Sequence, residues 1–259
     1  MYTEDNRSQL LNKIVSFVCS SQEFEGLIQI GSGAEGFADI YSDIDLMAGI
    51  VGVDMLDSAK EKLQGFFKEN GAIYLDNRPW TKTVLGISAY FENGLSVDIS
   101  FMPTPEIPIR SNRWRLLWAA NNKFAEPLEW KTAVLVERNG DMVDAAFHHR
   151  FFYTLRRAKV ATLRANYIYA DSCLSEARQM LLLIEAAVEG KKLHQFKAYH
   201  TLDKSFLATM ESTYPQERTF SGINAAIVCL EDVYIKTVAA NDLCPIDPTQ
   251  PKLVNCFDI

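Results

Sequence analysis

The 259 residues suffice for one large or two small domains, and 48% hydrophobic against 23% charged residues is ordinary for a soluble chain with a sizeable core. Lys and Arg number 26 against 33 Asp and Glu, a formal net charge of −7, so no overall positive field draws the chain to long nucleic acid or anionic lipid. The polar, acidic start Met1-Tyr2-Thr3-Glu4-Asp5-Asn6 is unlike a signal peptide, no apolar run approaches the ~20 residues that span a bilayer, and the five scattered cysteines form no C-x-x-C pair; the expectation is a cytoplasmic protein without a disulfide framework or zinc knuckle.

In chain order, Arg7 to Ser20 carries apolar residues at helical spacing (Leu10, Leu11, Ile14, Val15, Val18), which predicts a first helix. Leu27 to Ile30 reads as a short strand ending on Gly31. A second strand begins at Asp43-Ile44-Asp45-Leu46-Met47 by polar/apolar alternation, with a glycine-rich loop between the two. Asp54 to Glu69 is helical in pattern. Ala72 to Leu75, Thr83 to Phe91 and Leu95 to Met102 read as strands, and Asn93-Gly94 marks a hairpin turn. Thr132 to Glu137 is strand-like before Asn139-Gly140. From about Val143 the pattern turns helical, with helices expected at 144–170, 172–189, 191–210 and 220–240, and an extended tail after Pro245.

Gly31-Ser32-Gly33-Ala34-Glu35-Gly36 fits G-x-G-x-x-G after a strand, the fingerprint of a dinucleotide-binding turn. That reading fails in context, because the fingerprint needs a helix opening at the third glycine, and Phe37 to Asp45 leaves no room for one. Gly31-Ser32, ten residues, then Asp43-x-Asp45 forms a better unit. Side chains two apart on a strand share a face, so Asp43 and Asp45 point one way while Ile44 and Leu46 point to the core. Two carboxylates roughly 4 Å apart repel by about 4 kcal/mol at an effective dielectric of 20, a cost that a divalent cation reverses. Mg²⁺ takes one or two carboxylates plus substrate phosphates, and Gly31 and Ser32 offer backbone N–H groups and a hydroxyl to such phosphates. Asp98, standing with Ser96 and Ser100 on one face of its strand, is the candidate third acid of a two-ion site, as metal ligand or as base toward an attacking hydroxyl.

These residues resemble the nucleotidyltransferase superfamily with the fold typified by DNA polymerase β, in which G-S, a spacer, D-x-D and a later strand acid bind a Mg-nucleoside triphosphate. Within it, Gly31-Ser32, Tyr41-Ser42-Asp43-Ile44-Asp45 and the hairpin Phe91-Glu92-Asn93-Gly94 leading to Asp98 look most like the antibiotic nucleotidyltransferases, the lincosamide type first and the aminoglycoside type near it. The resemblance covers the first hundred or so residues by motif and the rest by architecture alone. It implies an α+β protein: a catalytic domain over 1–140 with a mixed sheet flanked by helices, and a helical substrate-binding bundle over 141–259. It also implies Mg²⁺-dependent transfer of AMP, or another nucleoside monophosphate, from a triphosphate to a hydroxyl of a small molecule. By the resemblance Gly31, Ser32 and Ser42 lie by the triphosphate, Asp43 and Asp45 hold Mg²⁺, and Asp98 is third ligand or general base. Gly33 and Gly36 depart from relatives that carry a basic or hydroxyl residue early in the spacer. Alternatives are a protein-modifying, antitoxin-like adenylyltransferase, usually a shorter chain, and a non-catalytic nucleotide-binding module.

Arg156, Arg157, Lys159 and Arg164 make the start of the helical part basic, and Arg164 is a candidate triphosphate partner against the plainer reading of a solvated helix face. Asp171, Glu176 and Glu185 are candidates for an amine-bearing acceptor, with surface exposure as their plainer reading. Trp114, Trp118, Phe124 and Trp130 fit packing better than stacking on a base or acceptor. His148, His149, His194 and His200 have no spacing for a shared metal. The apolar row Leu181 to Ile184 with Val188 fits either ordinary core or a homodimer contact.

Overall fold

Thr3 starts the first helix. Its hydroxyl accepts from the Asn6 backbone N–H at 3.2 Å while the Asn6 side chain accepts from the Thr3 N–H at 3.0 Å, and this reciprocal cap sets α1 at Glu4–Ser20, three residues ahead of the apolar period. The computed structural model describes residues 1–37, 39–134, 143–191, 193, 196–241 and 243–256. The chain divides into the units Met1–Val136 and Glu137–Ile259. The boundary expected at 140/141 falls outside the described residues.

The first unit continues through β1 (Phe24–Ile30), β2 (Ile44–Ile50), α2 (Leu56–Glu69), β3 (Ala72–Pro79), β4 (Leu85–Phe91), β5 (Ser96–Pro103), β6 (Trp114–Ala119) and α3 (Ala125–Ala133). The strands form one sheet in the order β3-β4-β5-β2-β1-β6. Its β2–β5 pair is parallel and the other pairs are antiparallel, so the sheet is mixed and the class α+β, as expected. The parallel pair needs a crossover, and α2 with the β3–β4 hairpin provides it. Leu27, Leu46, Ala48, Ile87, Val97 and Ile99 face the main core with Leu11, Ile14 and Val18 of α1 and Leu63 and Phe67 of α2. A smaller cluster of Ile28, Met102, Ile107, Phe124 and Leu128 is built on the opposite face.

One strand is added here and one expectation changes. Trp114–Ala119 is a sixth strand, hydrogen-bonded along β1, although its sequence lacks a period of two. Thr132 and Ala133, expected in a strand, end α3 instead; residues 135–137 and the Asn139-Gly140 turn lie outside the described residues.

The second unit is helical: α4 (Ala145–Leu163), α5 (Tyr167–Val188), α6 (Lys204–Ser212), α7 (Phe220–Ala240) and α8 (Lys252–Asn255). The helix expected over 144–170 stops at Leu163, because Ala165 turns left-handed at φ 55° and Asn166 caps α5. Among the described residues of 191–210 the α-helix is α6, whose start is fixed by the Asp203 carboxylate accepting from the Ser205 and Phe206 N–H groups. The tail expected to be extended carries the short α8. Phe151, Leu155, Leu174, Leu181, Ile184, Ile227 and Tyr234 build this unit's core. In the apolar row, Leu181 and Ile184 are buried while Val188 is exposed. All five cysteines are free, and among the described residues no helix is long and apolar enough to cross a membrane.

Candidate active site

Asp45 of β2 and Asp98 of β5 are register partners on adjacent parallel strands. Across the sheet, Asp98 pairs with Ser88 of β4, and Ser88 with Asp76 of β3. Paired residues share a face, so four polar side chains cross the sheet in one row. Their alternate neighbours Leu46, Val97 and Ala89 enter the helix-covered core, and Asn77 accepts from Gln64 of α2 at 2.6 Å, so the row looks away from α1 and α2. Neighbouring strands lie about 4.8 Å apart, which brings the two carboxylates within reach of one ion. Asp45 is half-buried, and the Asp98 side chain is 50% exposed. Asp43 lies exposed just ahead of β2, two residues before Asp45 and outside the strand expected to begin with it.

Gly31 to Glu35 form a tight 3-10 turn directly after β1 rather than an open loop. β1 and β2 are antiparallel, which rules out a dinucleotide-binding crossover. Gly31 holds φ +65°, and its backbone lies against the Asp45 carboxylate. Gly33 and Gly36 have local causes, one of packing and one of backbone: a Cβ at Gly33 would collide with the Gln29 amide, and Gly36 turns the chain at φ 103°. Ser32 is half-buried and its carbonyl accepts from the Phe37 N–H at 2.8 Å.

Two residues that the sequence reading passed over hold the approach to Asp43. Arg7 of α1, 3% exposed, donates from Nη1 to the carbonyls of Asp39 at 2.9 Å and Ser42 at 3.0 Å, and lies 3.8 Å over the Phe37 ring. The Tyr2 hydroxyl donates to the Ser42 carbonyl at 3.1 Å; burial, and then the Asp43 charge, push its pKa up. The Ser42 hydroxyl donates to the Asp39 carboxylate at 3.2 Å, so it ties the bend together. An arginine inside the apolar stripe Leu10, Leu11, Ile14 was the available signal.

Asp98 has its own support. The Ser88 hydroxyl donates to it, and Nη1 of Arg78 stands 4.0 Å from its Oδ1. Nε of Arg78 donates to Asp76 at 2.7 Å, which raises the guanidinium's pKa. Among the described residues no three carboxylate, imidazole or thiol groups converge closely enough to hold a metal ion by themselves. The donor chemistry still fits Mg²⁺, since that ion is commonly bound by one or two carboxylates with phosphate and water completing its shell.

In the second unit Arg164 is exposed at the end of α4. Arg157 pairs with Glu176 at 3.1 Å and donates to the Tyr169 hydroxyl, Arg156 donates to the Leu253 carbonyl at 3.1 Å, and Arg218 pairs with Asp171 at 2.9 Å, so these charges brace helices. Burial, with Glu189 and Asp203 nearby, raises the Glu185 carboxyl pKa. His148 is buried between the Tyr234 hydroxyl and the Cys244 carbonyl, each at 2.7 Å, and His149 stacks on Tyr153; His194 lies outside the described residues. Trp114, Trp118 and Phe124 pack on the cores, as expected, and Trp130 is exposed.

No family model matches the chain, and no curated protein does. Among solved structures it is similar to an aminoglycoside 6-adenyltransferase from Bacillus subtilis, 13% identical over 97% of this chain and 96% of that one, with a TM-score of 0.43. It is also similar to a nucleotidyltransferase-like protein from Exiguobacterium sibiricum, 13% identical over 90% of this chain and 76% of that one, with a TM-score of 0.41.

Proposed function

We propose that the chain is a Mg²⁺-dependent nucleotidyltransferase that moves a nucleoside monophosphate, AMP from ATP in the first instance, onto a hydroxyl of a small molecule and releases pyrophosphate. The observation that carries this reading is the register pairing of Asp45 with Asp98 beside the Gly31-Ser32 turn. Asp45 and Asp98, with Asp43 at the entrance, are the residues that would hold one or two Mg²⁺ ions, which when bound offset phosphate charge and align the triphosphate. The Gly31-Ser32 turn offers backbone N–H groups and a hydroxyl to phosphate oxygens. Asp98 takes the acceptor's hydroxyl proton as the oxygen bonds to the α-phosphorus and the bond to pyrophosphate breaks. Ser88 fixes the Asp98 rotamer. Little covalent work falls to the protein, so positioning and charge neutralisation supply most of the rate. An amine-bearing acceptor such as an aminoglycoside or lincosamide suits an acidic chain.

The test is a pyrophosphate-release screen of each nucleoside triphosphate against aminoglycosides, lincosamides and candidate protein partners, with Asp45→Asn and Asp98→Asn as controls. Activity that falls at least about a hundredfold in each variant supports the reading. ATP affinity indifferent to Mg²⁺, with no pyrophosphate from any acceptor, overturns it in favour of a non-catalytic nucleotide-binding module.

A further inference from the structure

On the sheet face that carries Asp45 and Asp98, aromatic rings flank the polar row where it crosses β4 and β3. Tyr74 and Tyr90 are register partners, two residues along their strands from Asp76 and Ser88, and so share that face; their ring centroids are 6.1 Å apart. Trp80 follows β3, and its indole lies over Gly86 of β4, where a Cβ would come 2.8 Å from Nε1. Gly86 pairs with Arg78 and Ser100, the next row on the same face. Tyr74 is 62% exposed, Trp80 61% and Tyr90 38%. The Arg78 guanidinium links the rings to the acids, with Nη2 donating to the Tyr90 hydroxyl at 3.5 Å, Nε to Asp76, and Nη1 next to Asp98.

We propose that Tyr74, Tyr90 and Trp80, with Asp76 and Arg78 between them, are the acceptor platform of the transferase, shaped for a hydroxylated ring compound that bears an amine. This rests on the nucleotidyltransferase reading and gives it a substrate side. In-line displacement puts the attacking oxygen and the departing pyrophosphate on opposite sides of the α-phosphorus. The phosphate-binding turn follows β1 and lies against Asp45 on β2, so the attacking oxygen comes from beyond Asp98, over β4 and β3. β5 and β3 are two strand spacings apart, about 10 Å, which accommodates a ring. The faces of tyrosine and tryptophan carry negative quadrupole charge that attracts ring C–H groups and an ammonium, and the Asp76 and Asp98 carboxylates accept from hydroxyls and amines. Tyr74, Tyr90 and Trp80 are the large exposed side chains on this face of β3 and β4, and exposed aromatic surface of this kind suits a ring-bearing ligand.

The platform is tested with Tyr74→Ala and Trp80→Ala, both at exposed positions, and with Asn77→Ala as a control that faces α2. With any acceptor found by pyrophosphate release, we expect its KM to rise about tenfold in each platform variant while the KM for ATP holds and Asn77→Ala matches wild type. Saturation-transfer NMR on the full chain reads the platform without turnover, using kanamycin and lincomycin as probes. Sugar-ring protons saturated by wild type and by Asp45→Asn, but not by the Tyr74→Ala/Trp80→Ala double variant, support the platform even if no transfer is found. No saturation by wild type, unchanged acceptor KM in both variants, or a rise in the ATP KM alone overturns it.

Discussion

A methyl group at Gly31 would stand 2.5 Å from Oδ2 of Asp45, in a backbone whose φ of +65° already disfavours any side chain. Gly31→Ala therefore has two effects. The left-handed conformation costs roughly 1–2 kcal/mol of stability for a residue with a Cβ, and the methyl displaces the carboxylate that would hold the cation. Urea denaturation should show the first and pyrophosphate release the second, with a loss of activity larger than the loss of stability explains. Wild-type turnover in this variant would mean that the close approach is incidental to the chemistry.

Arg7 acts at a distance from the acids through the bend that precedes Asp43. From a buried site its Nη1 holds both carbonyls while the planar guanidinium lies on the Phe37 ring, a stacking that the ammonium of lysine does not reproduce. Arg7→Met should destabilise the first unit by about 2 kcal/mol, since two part-buried carbonyls lose a charged donor, and Arg7→Lys by less, since it keeps a donor and loses the stacking on Phe37. Both should also weaken Mg²⁺-dependent ATP binding in calorimetry. Loss of stability with unchanged Mg²⁺ dependence would confine Arg7 to a structural role.

The acids were legible because strand alternation and spacing are local properties: Ile44, Leu46, Val97 and Ile99 had to be inside, so Asp45 and Asp98 had to be outside. The aromatic rings beside them were not, for a reason of the same kind. Past Leu75 the edge strand β3 carries Asp76, Asn77 and Arg78, which ends the apolar run and hides four further residues of strand. The rings Tyr74 and Tyr90 meet only through pairing between strands, which a single sequence does not display. β6 was hidden because Trp114-Arg115-Leu116-Leu117 has no period of two and its pairing shifts register between Leu27 and Ile28. The break after Leu163 rests on a left-handed alanine with neither glycine nor proline to announce it.

Glu23 gives the first unit a sensitivity to acid. Burial raises its carboxyl pKa, but donors from Lys62 at 2.9 Å and Ser58 at 2.8 Å outweigh that, and the net pKa lies below the ordinary glutamate value. A depressed carboxylate pKa contributes stability above the unfolded-state pKa, and that contribution is lost as pH falls from about 4.5 through the lower folded value. Stability measured by urea titration should drop across this acid range in wild type and less steeply in Glu23→Gln. Parallel pH curves for the two would show that the charge on Glu23 is not what the fold selects.

The buried arginine of the helical unit makes a separate prediction. Arg178 of α5 is 2% exposed, lies 3.9 Å over the Tyr214 ring, and donates to the Thr213 hydroxyl at 3.1 Å and carbonyl at 2.8 Å; burial lowers its pKa. The Thr213 hydroxyl in turn donates to the Met210 carbonyl at 2.6 Å, so one residue past the end of α6 ties that helix to α5. Thr213→Val removes an acceptor from a buried charge and a donor from a buried carbonyl, at a cost of about 1–3 kcal/mol. Arg178→Lys should cost at least as much, because the ammonium replaces neither the forked pair nor the stacking on Tyr214. Hydrogen exchange should show both variants losing protection in α5 and α6 while β2 and β5 keep theirs. Full protection in α5 and α6 would mean that apolar packing alone holds these helices together.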